Sequence, residues 1–354
     1  MKVAVIGGGF YGIMASLEAA KTEHVNQVFL FEKDRSLFNA AGKYNQARLH
    51  LGFHYPRSPE TIQQSKSGFS LYSERFPAVT KSINKNIYLI REDGRIGINE
   101  YLNVMRKNKL NFIPFKMSES AFKYKANNCA YQAIQVEEKY IDIVKLNKNL
   151  SAELDELGIN VKLNHEVINI DTYKGKITFS EGKEEIFDLI INCTYTDPFN
   201  GFNNIQYPLK FEFCTLLLIS SEEIKEQAIT IMDGEFVSIY PWLSNLHSVS
   251  SVKYTPSIKS NNLFELKKLI EKRTFKESKK TSNLIEQDMK SFLDFNYTLV
   301  GDFSTIKVKL KNDEGDQRIV KTFSEGKCIT VLQGKLDAVN IFLNDLARKL
   351  KGFK

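Results

Sequence analysis

The sequence is poor in residues that break or cross-link a chain. Its 354 residues include eight prolines, one tryptophan and four cysteines. The cysteines lie far apart, at Cys129, Cys193, Cys214 and Cys328, so their spacing supports neither a disulfide framework nor a zinc motif. No apolar run approaches the roughly 18 residues of a membrane-spanning helix. We therefore expect a cytoplasmic protein with free thiols, no metal site and no membrane span.

The chain also has only a small excess of basic over acidic residues. Forty-nine basic and 42 acidic residues leave a formal net charge of +7, and the lysines are dispersed without a nucleic-acid motif. We therefore expect no nucleic-acid partner. The N-terminus has no basic leader or cleavage site, so it does not resemble a signal peptide. The length corresponds to about two domains.

The opening residues carry the most specific signal. Lys2–Ile6 is a short apolar segment, typical of a strand buried in a parallel sheet. Gly7, Gly9 and Gly12 follow in GxGxxG spacing, before a segment with helical character. In such a motif the glycines permit a tight turn, the approach of a pyrophosphate and close helix packing. The phosphates lie against N–H groups at the positive end of the helix.

A second strand strengthens this interpretation. Gln27–Phe31 is again apolar, and it ends at Glu32, twenty residues beyond Gly12. An acid at this position accepts hydrogen bonds from a ribose hydroxyl. Strand, glycine turn, helix, second strand and acid together predict a dinucleotide site. The alternative is a glycine-rich turn in some other α/β protein.

A long polar and aromatic loop then replaces the helix–strand repeat of a simple nicotinamide-binding domain. It resembles the pattern Asn-Ser-Gly-x-x-His-x-Gly-x-x-Tyr, except that Gln46 and Ala47 replace Ser-Gly. The residues that match the pattern are Asn45, His50, Gly52 and Tyr55. The chain thus resembles the D-amino-acid-oxidase-like family of FAD-dependent oxidoreductases, which includes glycine oxidase and L-2-hydroxyglutarate dehydrogenase.

The resemblance implies a fold of the α/β plus β class. A discontinuous Rossmann-like FAD-binding domain would comprise residues 1–77, 136–204 and 321–354. A second, mainly antiparallel sheet domain of residues 78–135 and 205–320 would select the substrate.

Local patterns place further elements along the chain. Apolar spacing predicts a helix over 140–157, which ends at Gly158. In the second domain, strands are predicted at 87–90, 211–219, 228–232, 236–240 and 248–254, with helical spacing over 259–295. In the first domain, strands are predicted at 159–163, 166–170, 176–179, 187–194 and 328–332, and a last helix at 336–350.

The resemblance also implies which residues bind FAD. The backbone at Val167 would hold the adenine, and the turn before the last helix would meet the flavin ring. Arg48 would pair with a phosphate or hold the loop. The expected cofactor-binding residues are Gly7, Gly9, Phe10, Tyr11, Gly12, Glu32, Lys33, Asn45, Gln46, Arg48, Val167, Gly334, Lys335 and Leu336.

The expected catalytic residues are His50, Tyr55, Tyr240 and Arg318. His50 would contact flavin or substrate; the alternatives are a structural histidine or a covalent attachment point for FAD. Tyr240 would line the pocket or pack in the core, and Arg318 would bind a substrate carboxylate or form a surface ion pair. Further candidates are His54, Arg57, Trp242, His247, Lys253 and Tyr254.

The expected reaction is hydride transfer from a small polar substrate to flavin N5. Our first hypothesis is oxidation of an amine or amino acid, with O₂ or another acceptor taking the electrons. A 2-hydroxy-acid dehydrogenase is the alternative on the same scaffold. A flavin-binding partner protein without turnover of its own is a third possibility.

Overall fold

A computed structural model describes residues 1–203, 207–243, 245–271, 275–311 and 320–352. Within these ranges the four cysteines are free thiols, and no helix has both the length and the hydropathy that crossing a bilayer demands. The helices are α1 (Phe10–Ala20), α2 (Pro59–Arg75), α3 (Ile98–Lys107), α4 (Ile143–Glu156), α5 (Leu263–Glu271), α6 (Phe275–Phe292) and α7 (Val339–Gly352), with short 3-10 turns at Met117–Glu119 and Leu336–Ala338.

Strands make up much of the remaining structure. In chain order they are β1 (Lys2–Ile6), β2 (Gln27–Phe31), β3 (Arg48–Leu49), β4 (Thr80–Ser82), β5 (Lys85–Arg91), β6 (Phe112–Phe115), β7 (Lys123–Tyr124), β8 (Tyr131–Val136), β9 (Lys139–Ile141), β10 (Asn160–Lys162), β11 (Val167–Asp171), β12 (Lys176–Phe179), β13 (Glu184–Ile186), β14 (Leu189–Asn192), β15 (Leu209–Ser220), β16 (Gln227–Met232), β17 (Val237–Leu243), β18 (Leu246–Ser251), β19 (Pro256–Ser260), β20 (Leu293–Asp294), β21 (Thr298–Leu310), β22 (Lys321–Glu325) and β23 (Cys328–Leu332).

Internal contacts divide the chain into two compact units. The first comprises Met1–Lys43, Val144–Pro208 and Arg318–Lys354, and the second comprises Tyr44–Ile143 and Leu209–Gln317. Residues 44–77 and 136–143, which the sequence assigned to the nucleotide domain, therefore group with the second unit. The reason is strand pairing, because β9 joins both β3 and β4 in one small sheet.

The first unit is built on a six-stranded sheet in the order β10-β2-β1-β14-β23-β22. Its first five strands are parallel, and β22 is antiparallel to β23. β1 and β14 are almost wholly buried, as expected for a parallel sheet with helices on its faces. The Rossmann-like architecture expected from the sequence is confirmed. A separate three-stranded sheet contains β11, β12 and β13.

The second unit is built on a nine-stranded sheet, β19-β15-β18-β17-β16-β5-β8-β6, with β21 paired to β15. Its strand pairs are antiparallel except for β5 with β16, which confirms the expected mainly antiparallel sheet. Because side chains alternate along a strand, one face is apolar. Ile229, Ile239 and Val249 lie side by side on it and pack against Ile285 and Met289 of α6.

The opposite face of this sheet is polar and aromatic where β16, β17 and β18 meet. Its side chains lie in register with one another: Thr230, Ser238, Tyr240, Ser248 and Ser250. These five side chains are buried or half-buried. We call this surface the polar face; burying so many polar groups demands hydrogen-bond partners.

One sequence prediction needs correction, and one strand was not predicted. The helix predicted over 140–157 begins at Ile143, because residues 139–141 form β9 instead. It ends at Glu156, and Gly158 follows as the expected C-terminal cap, with a φ of +64°; the N–H of Ile159 donates to the carbonyl of Leu154. The thirteen-residue β21 was not predicted; it is a mostly exposed or half-buried strand without an apolar run.

The apolar face supports a stability prediction. Ile239 is 0% exposed, so Ile239→Ala removes buried carbon atoms and leaves a cavity; we expect a loss of about 2–5 kcal/mol in the free energy of unfolding. Urea unfolding followed by fluorescence of the single tryptophan, Trp242 in the same strand, measures it. Val252→Ala, at a position 52% exposed, is the control and should stay within about 0.5 kcal/mol of the parent protein. Equal losses in the two variants would contradict the assignment of faces.

Candidate functional site

The glycine turn after β1 has the geometry that a dinucleotide needs. Gly7 adopts a φ of +99°, and a Cβ on Gly12 would overlap the carbonyl oxygen of Gly7. Packing alone therefore requires glycine at both positions. At Gly9 a Cβ would meet no atom within 4 Å. The missing side chain of Gly9 thus leaves open space at the start of α1, where a phosphate can approach the backbone.

Glu32 is fixed beside this turn by backbone hydrogen bonds. The N–H of Gly8 donates to Glu32 Oε2 at 2.6 Å, and the N–H of Asp34 donates to Oε1 at 2.9 Å. Gly9 caps α1 without any side-chain hydrogen bond. A positive helix end and a half-buried carboxylate therefore lie next to each other, an arrangement that fits a pyrophosphate and its ribose.

The turn after β23 adjoins the same helix end. The hydroxyl of Tyr11 donates to the carbonyl of Lys335 at 2.8 Å, and Gln333 Nε2 donates to the carbonyl of Cys193 at 2.6 Å. Lys335 Nζ lies 3.3 Å from a carboxylate oxygen of the buried Asp337. Burial, together with the charge of Asp337, raises the pKa of Tyr11, so this hydroxyl stays protonated. The sequence pointed to Lys335 but missed Asp337.

The other predicted cofactor residues of this unit are placed as follows. Phe10 is buried and contacts the ring of Phe38 at 6.0 Å between centroids, and Lys33 is exposed. Val167 packs against the core cluster that contains Phe31. Gly334 and Leu336 flank Lys335 and are half-buried.

In the second unit, the segment after Lys43 lies on the polar face. Gln46 Oε1 accepts hydrogen bonds from the hydroxyls of Ser238 and Ser250 at 3.1 and 3.2 Å. Asn45 Oδ1 accepts the N–H of Ala47 at 2.6 Å, and Ala47 has a φ of +52°. Asn45 therefore shapes the loop, and Gln46 fastens it to the sheet.

Arg48 is buried in this face and its charge is compensated locally. One terminal nitrogen, Nη2, donates to the hydroxyls of Tyr88 and Thr230 at 2.7 and 2.9 Å and lies 3.8 Å from Glu138 Oε2. The guanidinium stacks 4.2 Å from the ring centroid of Tyr240. Burial alone would lower the pKa of Arg48, but these neighbours outweigh it and raise the pKa. Of the two roles considered for Arg48, these contacts favour holding the loop.

Glu138, which directly follows Val136 and Glu137 at the end of β8, lies at the centre of the cluster. Its side chain is 0% exposed. Oε1 accepts the N–H groups of Leu51 and Gly52 at 2.7 and 3.3 Å, and Oε2 accepts the hydroxyl of Tyr88 at 2.6 Å. His50 Nδ1 lies 3.6 Å from the same Oε2.

The electrostatics of the cluster keep Glu138 ionised. Burial would raise its pKa, but the hydrogen bond and charge of His50, the charge of Arg48 and the hydroxyl of Tyr88 outweigh burial and lower the pKa to about 2. An ionised carboxylate can only accept hydrogen bonds. Every polar hydrogen that faces Glu138 must therefore belong to its partner.

Two of the predicted catalytic residues meet in this region. The rings of His50 and Tyr55 are 5.6 Å apart, and the ring of His54 is 5.4 Å from His50 and 5.3 Å from Tyr55. The third, Tyr240, stacks on Arg48, and its hydroxyl oxygen accepts a hydrogen bond from Asn86 Nδ2 at 2.8 Å. Burial raises the pKa of Tyr240, so this side chain is neutral.

The fourth predicted catalytic residue, Arg318, lies outside the described residues. Among the further candidates, Arg57 pairs with Asp233 at 2.7 Å, and Trp242 stacks on Phe303. Lys253 is exposed beside Tyr254. His247 is buried, and burial lowers its pKa to about 4. The contacts named for these residues lie outside the Arg48–Glu138 cluster.

The sequence patterns do not single out Glu138. A faint signal exists, because Ile134 and Val136 are buried on alternate positions of β8 and Glu138 continues that period. An acidic residue at one of the alternate strand positions whose side chains are buried is unusual, and it indicates that partners compensate its charge. The neighbouring residue, Glu137, is also a glutamate but is exposed. Without the strand register, the sequence does not tell which of the two is buried.

The glycine turn generates a prediction from a matched pair of variants. Gly9→Ala places a methyl group in open space, so the fold should be kept while FAD affinity falls at least tenfold. Gly12→Ala should destabilise the first unit itself, because its methyl group overlaps the carbonyl of Gly7. Thermal unfolding of the apoprotein and FAD titration by flavin fluorescence separate the two effects. Unchanged FAD affinity in Gly9→Ala would contradict a phosphate at this turn.

The lowered pKa of Glu138 generates a second prediction. A carboxylate whose pKa falls from 4.5 to about 2 on folding contributes stability that is complete above about pH 4.5 and is lost as the pH falls toward 2. The stability difference between the parent protein and Glu138→Gln should therefore be largest near neutral pH and shrink below pH 4.5. Urea unfolding between pH 3 and 7 measures it. Glu137→Gln is the matched control, and a difference of the same size there would refute the assignment.

Comparisons with known proteins agree with this geometry. The family model described as "DAO: FAD dependent oxidoreductase" matches residues 2–269. The FAD-dependent monooxygenase FPY4 of Fusarium mangiferae is 27% identical, with 95% of this chain and 88% of that protein covered.

Two solved structures share the fold. L-alpha-glycerophosphate oxidase from Mycoplasma pneumoniae with FAD bound superposes with a TM-score of 0.73 at 14% identity, covering 100% of this chain and 95% of that one. NikD, an amino acid oxidase essential for nikkomycin biosynthesis, gives a TM-score of 0.72 at 14% identity, with 98% and 93% covered. The family match spans most of the sequence, and the cofactor is FAD. The chain therefore belongs to the DAO family of FAD-dependent oxidoreductases.

Proposed function

We propose that the protein oxidises the C–N bond of a small amine or amino acid. The observation that carries this proposal is the buried cluster of Arg48, His50 and Glu138 on the polar face, in a chain of an FAD-dependent family. It presents a histidine beside an ionised carboxylate, a combination suited to accepting a proton. NikD, which shares the fold, is named an amino acid oxidase, and this supports a C–N substrate.

The residues of the first unit would hold the cofactor. Backbone N–H groups at the start of α1 bind the pyrophosphate, and Glu32 binds the ribose. The remaining expected contacts, at Val167 and the turn containing Lys335, stay predictions. When bound, FAD supplies the acceptor for a hydride at N5.

His50 would remove the proton that the reaction releases. His50 would take the nitrogen proton as the C–H bond of the substrate breaks and a C=N bond forms, and bound FAD would supply the acceptor for the hydride. Tyr55 would bind and orient the substrate beside His50, while Tyr240 keeps Arg48 in place by stacking. O₂ or another acceptor would be needed to take the electrons in the end.

The charge of the cluster bears on the substrate. The charge of Arg48 is already compensated by Glu138, and its Nη2 donates to two hydroxyls, so we do not assign it a substrate carboxylate. Arg318 remains the proposed partner for that group, as the sequence indicated. An amine without a carboxylate needs no such partner.

Two other reactions have specific support. The same histidine could take a hydroxyl proton from a 2-hydroxy acid, which makes C–O oxidation the second candidate. The relative FPY4 is named a monooxygenase, which favours a reaction that inserts one atom of O₂ and requires an external electron donor. A flavin-binding role without turnover is the remaining alternative.

An anaerobic reduction experiment tests the proposal. The purified protein should show flavin absorption bands at about 370 and 450 nm. The band at longer wavelength should bleach with an amine or amino acid but not with the hydroxy acid of the same carbon skeleton. His50→Gln should keep the spectrum and slow bleaching by about 10²–10⁴-fold, the usual contribution of a general base.

The control is His24→Gln, at an exposed position, which should bleach at the parent rate. Equal rates in the His50 and His24 variants would overturn the role of His50. Bleaching by the hydroxy acid alone would favour C–O oxidation. Incorporation of ¹⁸O from labelled O₂, dependent on an added nicotinamide donor, would favour the monooxygenase.

A further inference from the structure

Glu138 is an unusual choice for the centre of a buried cluster. Desolvating a carboxylate is costly unless partners compensate the charge. Two of its contacts are backbone N–H groups, from Leu51 and Gly52, and one is the hydroxyl of Tyr88. A neutral glutamine could accept the backbone bonds equally well. The negative charge itself is therefore needed only by the two basic partners, Arg48 and His50.

The geometry of these two partners differs in an informative way. Arg48 has other strong contacts, since Nη2 also donates to the hydroxyls of Tyr88 and Thr230. His50 presents a single ring nitrogen, Nδ1, to the carboxylate, at 3.6 Å from Oε2. An ionised carboxylate has no hydrogen to give, so its negative charge favours the tautomer that carries the hydrogen on Nδ1, the ring nitrogen that faces it. In the neutral ring, Nε2 is then left without one.

We propose that Glu138 is a positioning residue that fixes His50 as the Nδ1–H tautomer and so leaves Nε2 as the proton acceptor. This inference rests on the proposed role of His50. It goes beyond that role because it explains why His50 is a base on one defined nitrogen. In other enzymes too, a group that contacts one ring nitrogen of a catalytic histidine orients the imidazole and determines its tautomer.

The remaining groups around the pair are consistent with this role. Arg48 disfavours a second positive charge on His50, and Glu138 favours it, so the two partly cancel. A tyrosine hydroxyl beside the pair can either donate or accept a hydrogen bond, whereas the ionised carboxylate can only accept one. The titratable groups that face the pair are Arg48, His54, Tyr55, Tyr88, Tyr101 and Tyr240.

Glu138→Gln gives a sharp test because its geometry is constrained. The amide oxygen should take the place of Oε1, where it accepts the N–H groups of Leu51 and Gly52. The amide NH₂ then replaces Oε2 and faces His50 Nδ1 as a donor. The hydrogen-bond polarity at His50 is thereby reversed, and the favoured tautomer should change to Nε2–H.

The measurement is ¹⁵N NMR of the FAD-bound protein with labelled histidine. The sequence has five histidines, and the His50→Gln spectrum assigns the His50 signals. We expect an unprotonated Nε2 in the parent protein and an unprotonated Nδ1 in Glu138→Gln. Tyr88→Phe keeps the carboxylate and should keep the parent tautomer. Glu137→Gln, one residue away and exposed, is the matched control and should also leave the tautomer unchanged.

The outcomes decide the proposal separately from the function. An Nε2–H tautomer in the parent protein overturns it, and this measurement does not require any variant to fold. An unchanged tautomer in folded Glu138→Gln also overturns it. If the expected tautomers are found, Glu138→Gln should also lower kcat by about 10²–10⁴-fold, with its pH profile altered and KM changed less. If no amine bleaches the parent protein although the tautomers are as expected, the proposed function fails while the positioning role stands.

Discussion

A buried negative charge is the constraint on which the second unit depends. Glu138 is ionised inside the protein, and its stability there requires Arg48, His50, Tyr88 and two backbone N–H groups at once. Those partners come from β3, β5 and the loop after β3. Their shared contacts with one carboxylate fix the loop on the sheet, because losing a partner leaves the desolvated charge less well compensated.

In the first unit, the glycine turn that would receive the dinucleotide does not depend on a buried, charge-compensated side chain. The turn depends on glycines, which have no side chain. Gly12 contacts the carbonyl of Gly7, and Gly9 leaves space at the start of the helix. A dinucleotide brings its own negative charge, so backbone N–H groups and a helix end are enough to receive it. Glu32 then supplies the one acidic side chain that the turn holds in place.

This difference explains how much the sequence could predict. The first unit follows from local patterns: Lys2–Ile6, the glycine spacing and Glu32 lie within 31 residues, and each has a physical meaning on its own. The second unit depends on pairs far apart in the chain, such as Arg48 with Thr230 and Gln46 with Ser250. From a single sequence we could not derive which residues of two such distant segments lie opposite each other. The loop residues could therefore be named as candidates, but Glu138 and the boundary at residue 44 could not.

The charge balance of the polar face limits the chemistry it can support. Arg48 and Glu138 neutralise each other, so the neutral form of His50 leaves the cluster without net charge. When His50 accepts a proton, the cluster becomes positive by one unit in a buried setting, and that charge must be relieved before another turnover. A neutral product carries no proton away, so this charge must be lost to solvent; the rings of the half-buried His54 and Tyr55 lie 5.4 and 5.6 Å from that of His50. The reaction proposed for this face therefore requires that His50 exchange its proton with water between turnovers.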